Sequence, residues 1–291
     1  MNGPDRIVVS GDGTPIAVFA TPADRAVGRA GVAADPEASS ATSPASARPL
    51  VLVHGTGGDH TTFRVIGPRL ARHRPVLAID RRGRGASGDT LPYAYEREAE
   101  DVAAVAEALA DDTGAPVSVF GHSYGGRVAL GAALLTTAID RVVSYEGAPT
   151  PPGTSYHPSG IEARLDALLA AGDADAAYAT FMAEVVGMPP VELAAYRREP
   201  VWPARVAAAG TIPREFAAET DPAASLEALG SVRRPVLQLL GSASLPAFGE
   251  AVSALDARLA DGRVVVIDGA RHAAHHTHPD AVITSVETFL G

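Results

Sequence analysis

A chain of 291 residues, 46% of them hydrophobic, is long enough to bury one large α/β core or two small ones. The formal charge of −10, with all 24 basic residues arginine, argues against nucleic acid and anionic membrane surfaces as partners; the lack of lysine excludes Schiff-base chemistry and a phosphate-binding P-loop. Without cysteine there is no disulfide, no thiolate nucleophile and no cysteine-ligated zinc. No apolar run approaches the roughly 20 residues that cross a bilayer. Met1–Arg6 leads into no apolar signal segment, so a cytoplasmic location is expected.

In chain order, Ile7–Ser10 and Pro15–Ala20 read as a hairpin turning at Gly11-Asp12-Gly13. Residues 21–49, rich in Ala, Ser, Pro and Arg without an apolar period, read as a long surface loop. Leu50–Val53 follows as a buried strand, Thr61–His73 as a helix, and Val76–Ile79 as a strand ending at Asp80. Tyr93–Asp112 has an alanine-rich helical face. Val117–Phe120 and Gly125–Thr137 read as a strand and helix joined by a tight turn, and Arg141–Tyr145 as a strand ending at Glu146. Continuously apolar strands alternating with helices predict a mostly parallel sheet covered on both faces.

The alternation stops at 148–230. There Ile161, Leu165, Leu168 and Leu169, then Tyr178, Phe181, Met182, Val185 and Val186, fall at helical spacing, with breaks at Pro189-Pro190, Pro200, Pro203 and Pro213. The pattern resumes with a strand at Val236–Leu240, a helix at Phe248–Ala260, a strand at Val264–Ile267 and a closing helix at Asp280–Leu290. The expected organisation is a core of 1–147 and 231–291, with a helical cap of 148–230 inserted after the sixth of eight strands.

The most informative stretch is Gly121-His122-Ser123-Tyr124-Gly125, placed between the fifth strand and its helix. Glycines on either side of the serine let the chain turn sharply and present the hydroxyl above the sheet, as in a nucleophile elbow. Three more segments follow strands in the same way: His54-Gly55-Thr56-Gly57-Gly58 after the third, Asp80-Arg81-Arg82-Gly83-Arg84-Gly85 after the fourth, and Gly269-Ala270-Arg271-His272 after the eighth, with Pro279 seven residues on. Together the four resemble the α/β-hydrolase superfamily with a helical cap, over essentially the whole chain except 21–49.

The resemblance implies an α/β-hydrolase fold, with a mostly parallel eight-stranded sheet and helices on both faces. It implies Ser123 as nucleophile and His272 as base. The backbone N–H groups of Thr56 (or Gly57) and Tyr124 become oxyanion donors, each worth roughly 3 kcal/mol in the transition state. It implies no metal and no cofactor. His275 can be read as the base instead, and His272, His275, His276 and His278 as a surface or metal-binding cluster; spacing to Pro279 favours His272. His54 and His122 read as structural histidines. Arg81, Arg82 and Arg84 read as a solvated, ion-paired turn.

Most of the superfamily carries its acid as an aspartate after the seventh strand. Here that loop, Leu240-Gly241-Ser242-Ala243-Ser244-Leu245-Pro246, has no carboxylate, and Ser244 stands about where the aspartate falls. Glu146 instead ends the sixth strand, at the carboxyl edge of the sheet where ligands bind. Some α/β-hydrolases carry the acid there, so Glu146 is the expected acid, with Asp268 as the alternative. The segment Pro200-Val201-Trp202 followed by Thr211-Ile212-Pro213 is similar to the cap of fungal resorcylic-macrolactone hydrolases, which also place a glutamate there. Trp202 and Met182 are the expected substrate contacts, and Tyr178, Phe181 and Met188 can line the same pocket, with helix packing as the competing reading for each.

The expected activity is cleavage of a small, fairly apolar ester or lactone through an acyl-enzyme. The expected partner is that small-molecule substrate, with a homodimer left open. Serine at 123, rather than aspartate, argues against epoxide and haloalkane hydrolysis. Because fold does not fix function, a lyase, cofactor-free oxygenase or cyclase, and a binding protein with vestigial hydrolysis, are the competing readings.

Overall fold

The structure, a computed structural model, describes residues 3–24 and 47–291. The surface loop expected at 21–49 lies outside the described residues except at its two ends. The strands are β1 (Arg6–Val9), β2 (Pro15–Ala20), β3 (Leu50–Val53), β4 (Val76–Ile79), β5 (Val117–His122), β6 (Ile139–Tyr145), β7 (Val236–Gly241) and β8 (Gly262–Ile267). They form one eight-stranded sheet in the order β1-β2-β4-β3-β5-β6-β7-β8. The β1–β2 hairpin and the β2–β4 pairing are antiparallel, and every pairing from β4 to β8 is parallel.

Before the insertion the helices are α1 (Gly67–Leu70), α2 (Tyr95–Thr113) and α3 (Tyr124–Leu135). Within it are α4 (Ile161–Ala170), α5 (Ala174–Glu184), α6 (Pro190–Tyr196), α7 (Trp202–Ala207), α8 (Ile212–Ala218) and α9 (Leu226–Leu229). After it come α10 (Pro246–Asp256), α11 (Ala274–Thr277) and α12 (Pro279–Leu290).

The twofold alternation of a strand explains why β3 reads as an unbroken apolar run. Leu50 and Leu52 face one layer, packing with Leu70, Val286 and Phe289. Val51 and Val53 face the other, packing with Val102, Val105 and Val128 of α2 and α3. Each such fully buried aliphatic side chain contributes roughly 1.5–3 kcal/mol. The inserted helices have a third cluster of their own, built on Ile161, Leu165, Phe181, Trp202, Ile212 and Phe216. Among the described residues no helix is long and apolar enough to cross a membrane.

Two elements differ from the sequence reading. The helix expected over Thr61–His73 is a short 3₁₀ turn at His60–Phe63 followed by the single turn of α1. Pro68 lacks the N–H a continuous helix needs there, and it sits instead in the first turn of α1. The last strand, read at Val264–Ile267, begins two residues earlier at Gly262 and is the sheet edge, with Val264, Val265 and Val266 exposed.

Candidate active site

The register of β5 on β6 pairs His122 with Tyr145, so Ser123 and Glu146 leave neighbouring strands side by side at the carboxyl edge. Both have positive φ, 56° for Ser123 and 48° for Glu146, and among the described residues they are the two non-glycines that do. Such backbone costs about 1–3 kcal/mol per residue and persists where the surroundings enforce it. Around Ser123 the enforcement is steric. A Cβ on Gly121 would lie 2.2 Å from the Gly125 carbonyl oxygen, and one on Gly125 would lie 2.3 Å from that of Val53. The Ser123 N–H donates to Tyr145 O at 2.8 Å, and its side chain stays partly exposed.

Glu146 is buried and receives three donors. His272 Nδ1 donates to Oε2 at 2.6 Å; Ser244 Oγ and the Gly241 N–H donate to Oε1 at 2.6 and 2.8 Å. The serine at the empty aspartate position therefore holds the glutamate that arrives from β6. Asp268 accepts from Ser242 Oγ at 3.3 Å instead. The carboxylate meets His272 rather than His275, which is buried with Nδ1 unpartnered among the described residues. Phe248 stacks on the His272 ring at 4.5 Å, and His122 Nε2 donates to the His272 carbonyl at 2.8 Å, so His122 braces the loop that carries His272.

His54 does the same for the loop after β3. Its Nδ1 donates to Gly55 O at 2.8 Å and its Nε2 accepts from the Arg81 N–H at 3.0 Å. Burial first, then the Arg81 charge, holds this imidazole well below its ordinary pKa, which fits a neutral ring. Thr56 lies on that loop, and Tyr124 opens α3. Among the described residues neither backbone N–H is taken by another protein group.

Thr56, Ser123 and His272 line two cavities. One is a small chamber of about 40 Å³ reaching Arg127, Tyr156 and Phe216. The other is about 400 Å³, is walled largely by apolar side chains including Tyr178, Phe181 and Met188, and takes in Met182.

The sequence profile of the alpha/beta hydrolase family matches residues 50–285. The chain belongs to the α/β-hydrolase family. An alpha/beta hydrolase from Sphaerobacter thermophilus superposes with a TM-score of 0.76 at 32% identity, covering 98% of this chain and all of that one. A pimeloyl-[acyl-carrier protein] methyl ester esterase of Neisseria meningitidis is 34% identical over 87 residues, 30% of this chain and 31% of the esterase. An N-formylmaleamate deformylase of Pseudomonas putida is 31% identical over 122 residues, 41% of this chain and 44% of the deformylase. The stretches matched thus span less than half of either named enzyme.

In this α/β hydrolase Trp202 does not line the cavity expected for it. It is buried within the inserted helices, where Nε1 donates to Asp175 Oδ1 at 2.6 Å and the ring meets Tyr178 and Tyr196 edge-on. Tyr178, Phe181 and Met188, the other pocket candidates of the insertion, do line it.

The arginine turn also differs from its reading as a solvated loop, since Arg81, Arg82 and Arg84 are fully buried. Arg81 pairs with both oxygens of Glu98 at 2.7 Å and with Glu215 of α8 at 2.5 Å, and Arg84 pairs with the same two glutamates. The Arg81 guanidinium also lies 4.7 Å from the centre of the Tyr124 ring. Arg205 of α7 makes a second bridge, to Asp59 at 2.6 Å. These pairs fasten the inserted helices to the loops after β3 and β4.

Asp59, His60 and Asp80 bring three potential metal ligands together. Their oxygens are engaged, however. Asp80 accepts from the His60 N–H, His60 Nδ1 and the Ala86 N–H, and Asp59 from Thr61 and Arg205. The group is a hydrogen-bonded brace.

Burial and then neighbouring histidine charge push His275 well below the ordinary 6.5, and His276 is pushed to about 4, first by burial and then by Arg64. Such rings stay neutral in the fold but take up protons once unfolded, so stability drops as pH falls below about 6.5. For His276 the loss continues to about pH 4. Thermal melts between pH 7 and 5 are expected to show a falling midpoint, and a shallower fall in His275→Phe. Parallel curves for the two proteins would contradict this.

Proposed function

We propose that this protein is a serine hydrolase cleaving a small, fairly apolar carboxylic ester or lactone through an acyl-enzyme. One observation carries the reading: His272 Nδ1 is bonded to the buried Glu146 carboxylate beside a serine held on strained backbone. With its proton on Nδ1, the imidazole keeps Nε2 free to take the Ser123 proton as the hydroxyl attacks the carbonyl. Glu146 fixes that tautomer and stabilises the imidazolium that forms. The Thr56 and Tyr124 N–H groups receive the developing oxyanion. His272 then gives its proton to the leaving alcohol, and the same base activates water to release the acid. The helices of residues 148–230 act as a lid domain that screens the site from bulk water. Met182 belongs to the wall that contacts the apolar part of the substrate.

The named relatives, a methyl ester esterase and a deformylase, support carbonyl hydrolysis over a lyase, oxygenase or vestigial binding role. A chromogenic short-chain ester should be turned over, and a serine-directed phosphonate should abolish the turnover. Ser123→Ala should lower kcat by at least about 10⁴. Full activity in that variant, or no turnover and no inhibitor reaction in the wild type, would sink the reading.

A further inference from the structure

Arg127, in the first turn of α3 and four residues after Ser123, lines the small chamber beside it. Its side chain is 5% exposed. The neighbouring buried arginines 81, 82, 84 and 205 each have a carboxylate within hydrogen-bonding distance. Arg127 does not. Glu219 Oε2 lies 3.6 Å from its NH1, and Nε has no partner among the described residues. His157 Nε2 is also 3.6 Å from that Glu219 oxygen, and its ring is held against Phe216 at 3.9 Å. Burial pushes the Glu219 carboxyl up, but the Arg127 charge and then the nearby His157 outweigh it and hold it below the usual range. The chamber wall is therefore a charge-balanced pair whose guanidinium donors are short of acceptors.

We propose that the small chamber is the acyl subsite and that Arg127 selects short acyl groups bearing an acceptor oxygen at their far end. This rests on the hydrolase reading above. Both cavities reach Thr56, Ser123 and His272, and placing the retained group in the tighter one leaves the wide apolar cavity for the group that departs. At about 40 Å³ the chamber has room for roughly three water-sized groups, a few atoms beyond the carbonyl; Arg127, His157, Phe216 and Glu219 also line an open groove of about 790 Å³. A buried guanidinium with idle N–H groups gains a charge-assisted hydrogen bond from an oxygen placed there, and a methyl group in the same position offers none. Because Glu219 already balances the charge, a neutral oxygen is sufficient.

The test uses two pairs of methyl esters matched in shape: methyl 3-hydroxypropanoate against methyl butanoate, and monomethyl malonate against methyl 3-methylbutanoate. Methanol release gives kcat/KM for each. The wild type is expected to favour the oxygen-bearing ester by about tenfold or more in at least one pair. Arg127→Met should erase that preference relative to wild type, a comparison in which the intrinsic reactivity of the esters cancels. Because Arg127→Met leaves Glu219 unpaired, the double variant Arg127→Met/Glu219→Gln is measured beside it, with thermal melts to establish folding. Dependence on Arg127 in both pairs assigns a neutral acceptor oxygen; dependence confined to the malonate pair assigns a carboxylate. Turnover of all four esters with the same ratios in wild type and folded variants overturns this inference alone. No turnover of any ester, with no phosphonate reaction at Ser123, overturns the hydrolase reading and this inference with it.

Discussion

Glu146→Gln is expected to lower kcat by about 10³–10⁴ while the protein stays folded, because the amide keeps the volume of the carboxylate but not its role. Glutamine has one acceptor oxygen where the site presents three donors, from His272, Ser244 and Gly241. Its NH₂ must face either His272 or the pair Ser244 and Gly241, which share one oxygen. If it faces His272 the imidazole is driven to the wrong tautomer, and in either orientation the imidazolium loses its counter-charge. Ser244→Ala removes one donor and leaves the Gly241 N–H in place, so a loss of about tenfold or less is expected. Steady-state kinetics with circular dichroism checks both. Near-full activity in Glu146→Gln would remove Glu146 from the mechanism.

Glu215→Ala is expected to be the most destabilising single change at the junction between the inserted helices and the core. Glu215 is fully buried and contacts Arg81 and Arg84, themselves buried. Removing it leaves two guanidinium charges to share Glu98. Breaking one partner out of a buried ion-pair network costs about 3–5 kcal/mol, because the remaining charge stays desolvated. For a chain of 291 residues that corresponds to a fall of roughly 5–8 °C in melting temperature. A fall under about 3 °C in a thermal melt would show that the network contributes little. Activity is expected to suffer as well, since the Arg81 guanidinium packs on the ring of Tyr124.

How far each feature could be read depended on whether its cause was local in the chain. The Ser123 turn was legible because its glycines, its strand and its helix are contiguous, and the backbone contacts that forbid a Cβ at 121 and 125 arise within that unit. Glu146 was legible by a vacancy: the loop after β7 offers no carboxylate, and β6 ends in one. That Ser244 would donate to Glu146, 98 residues away, had no signal beyond its position. The buried arginines were misjudged because nothing near them names their partners. Glu98 is 17 residues from Arg81, and Glu215 is 134 residues away on a helix of the insertion. Trp202 misled for the same reason, its anchor Asp175 lying 27 residues upstream on a different helix. The positive φ at Glu146, unlike that of Ser123 in its glycine-flanked turn, has no counterpart in the sequence pattern around it.

The most direct test is to find where a serine-directed phosphonate attaches. The wild type is treated until turnover of a chromogenic ester stops, and the adduct is located by mass spectrometry of proteolytic peptides. One phosphonyl group on Ser123 is expected, formed far more slowly in Glu146→Gln and absent in Ser123→Ala. Attachment at another residue, or continued turnover after Ser123 has been fully modified, would contradict the assignment of Ser123 as nucleophile.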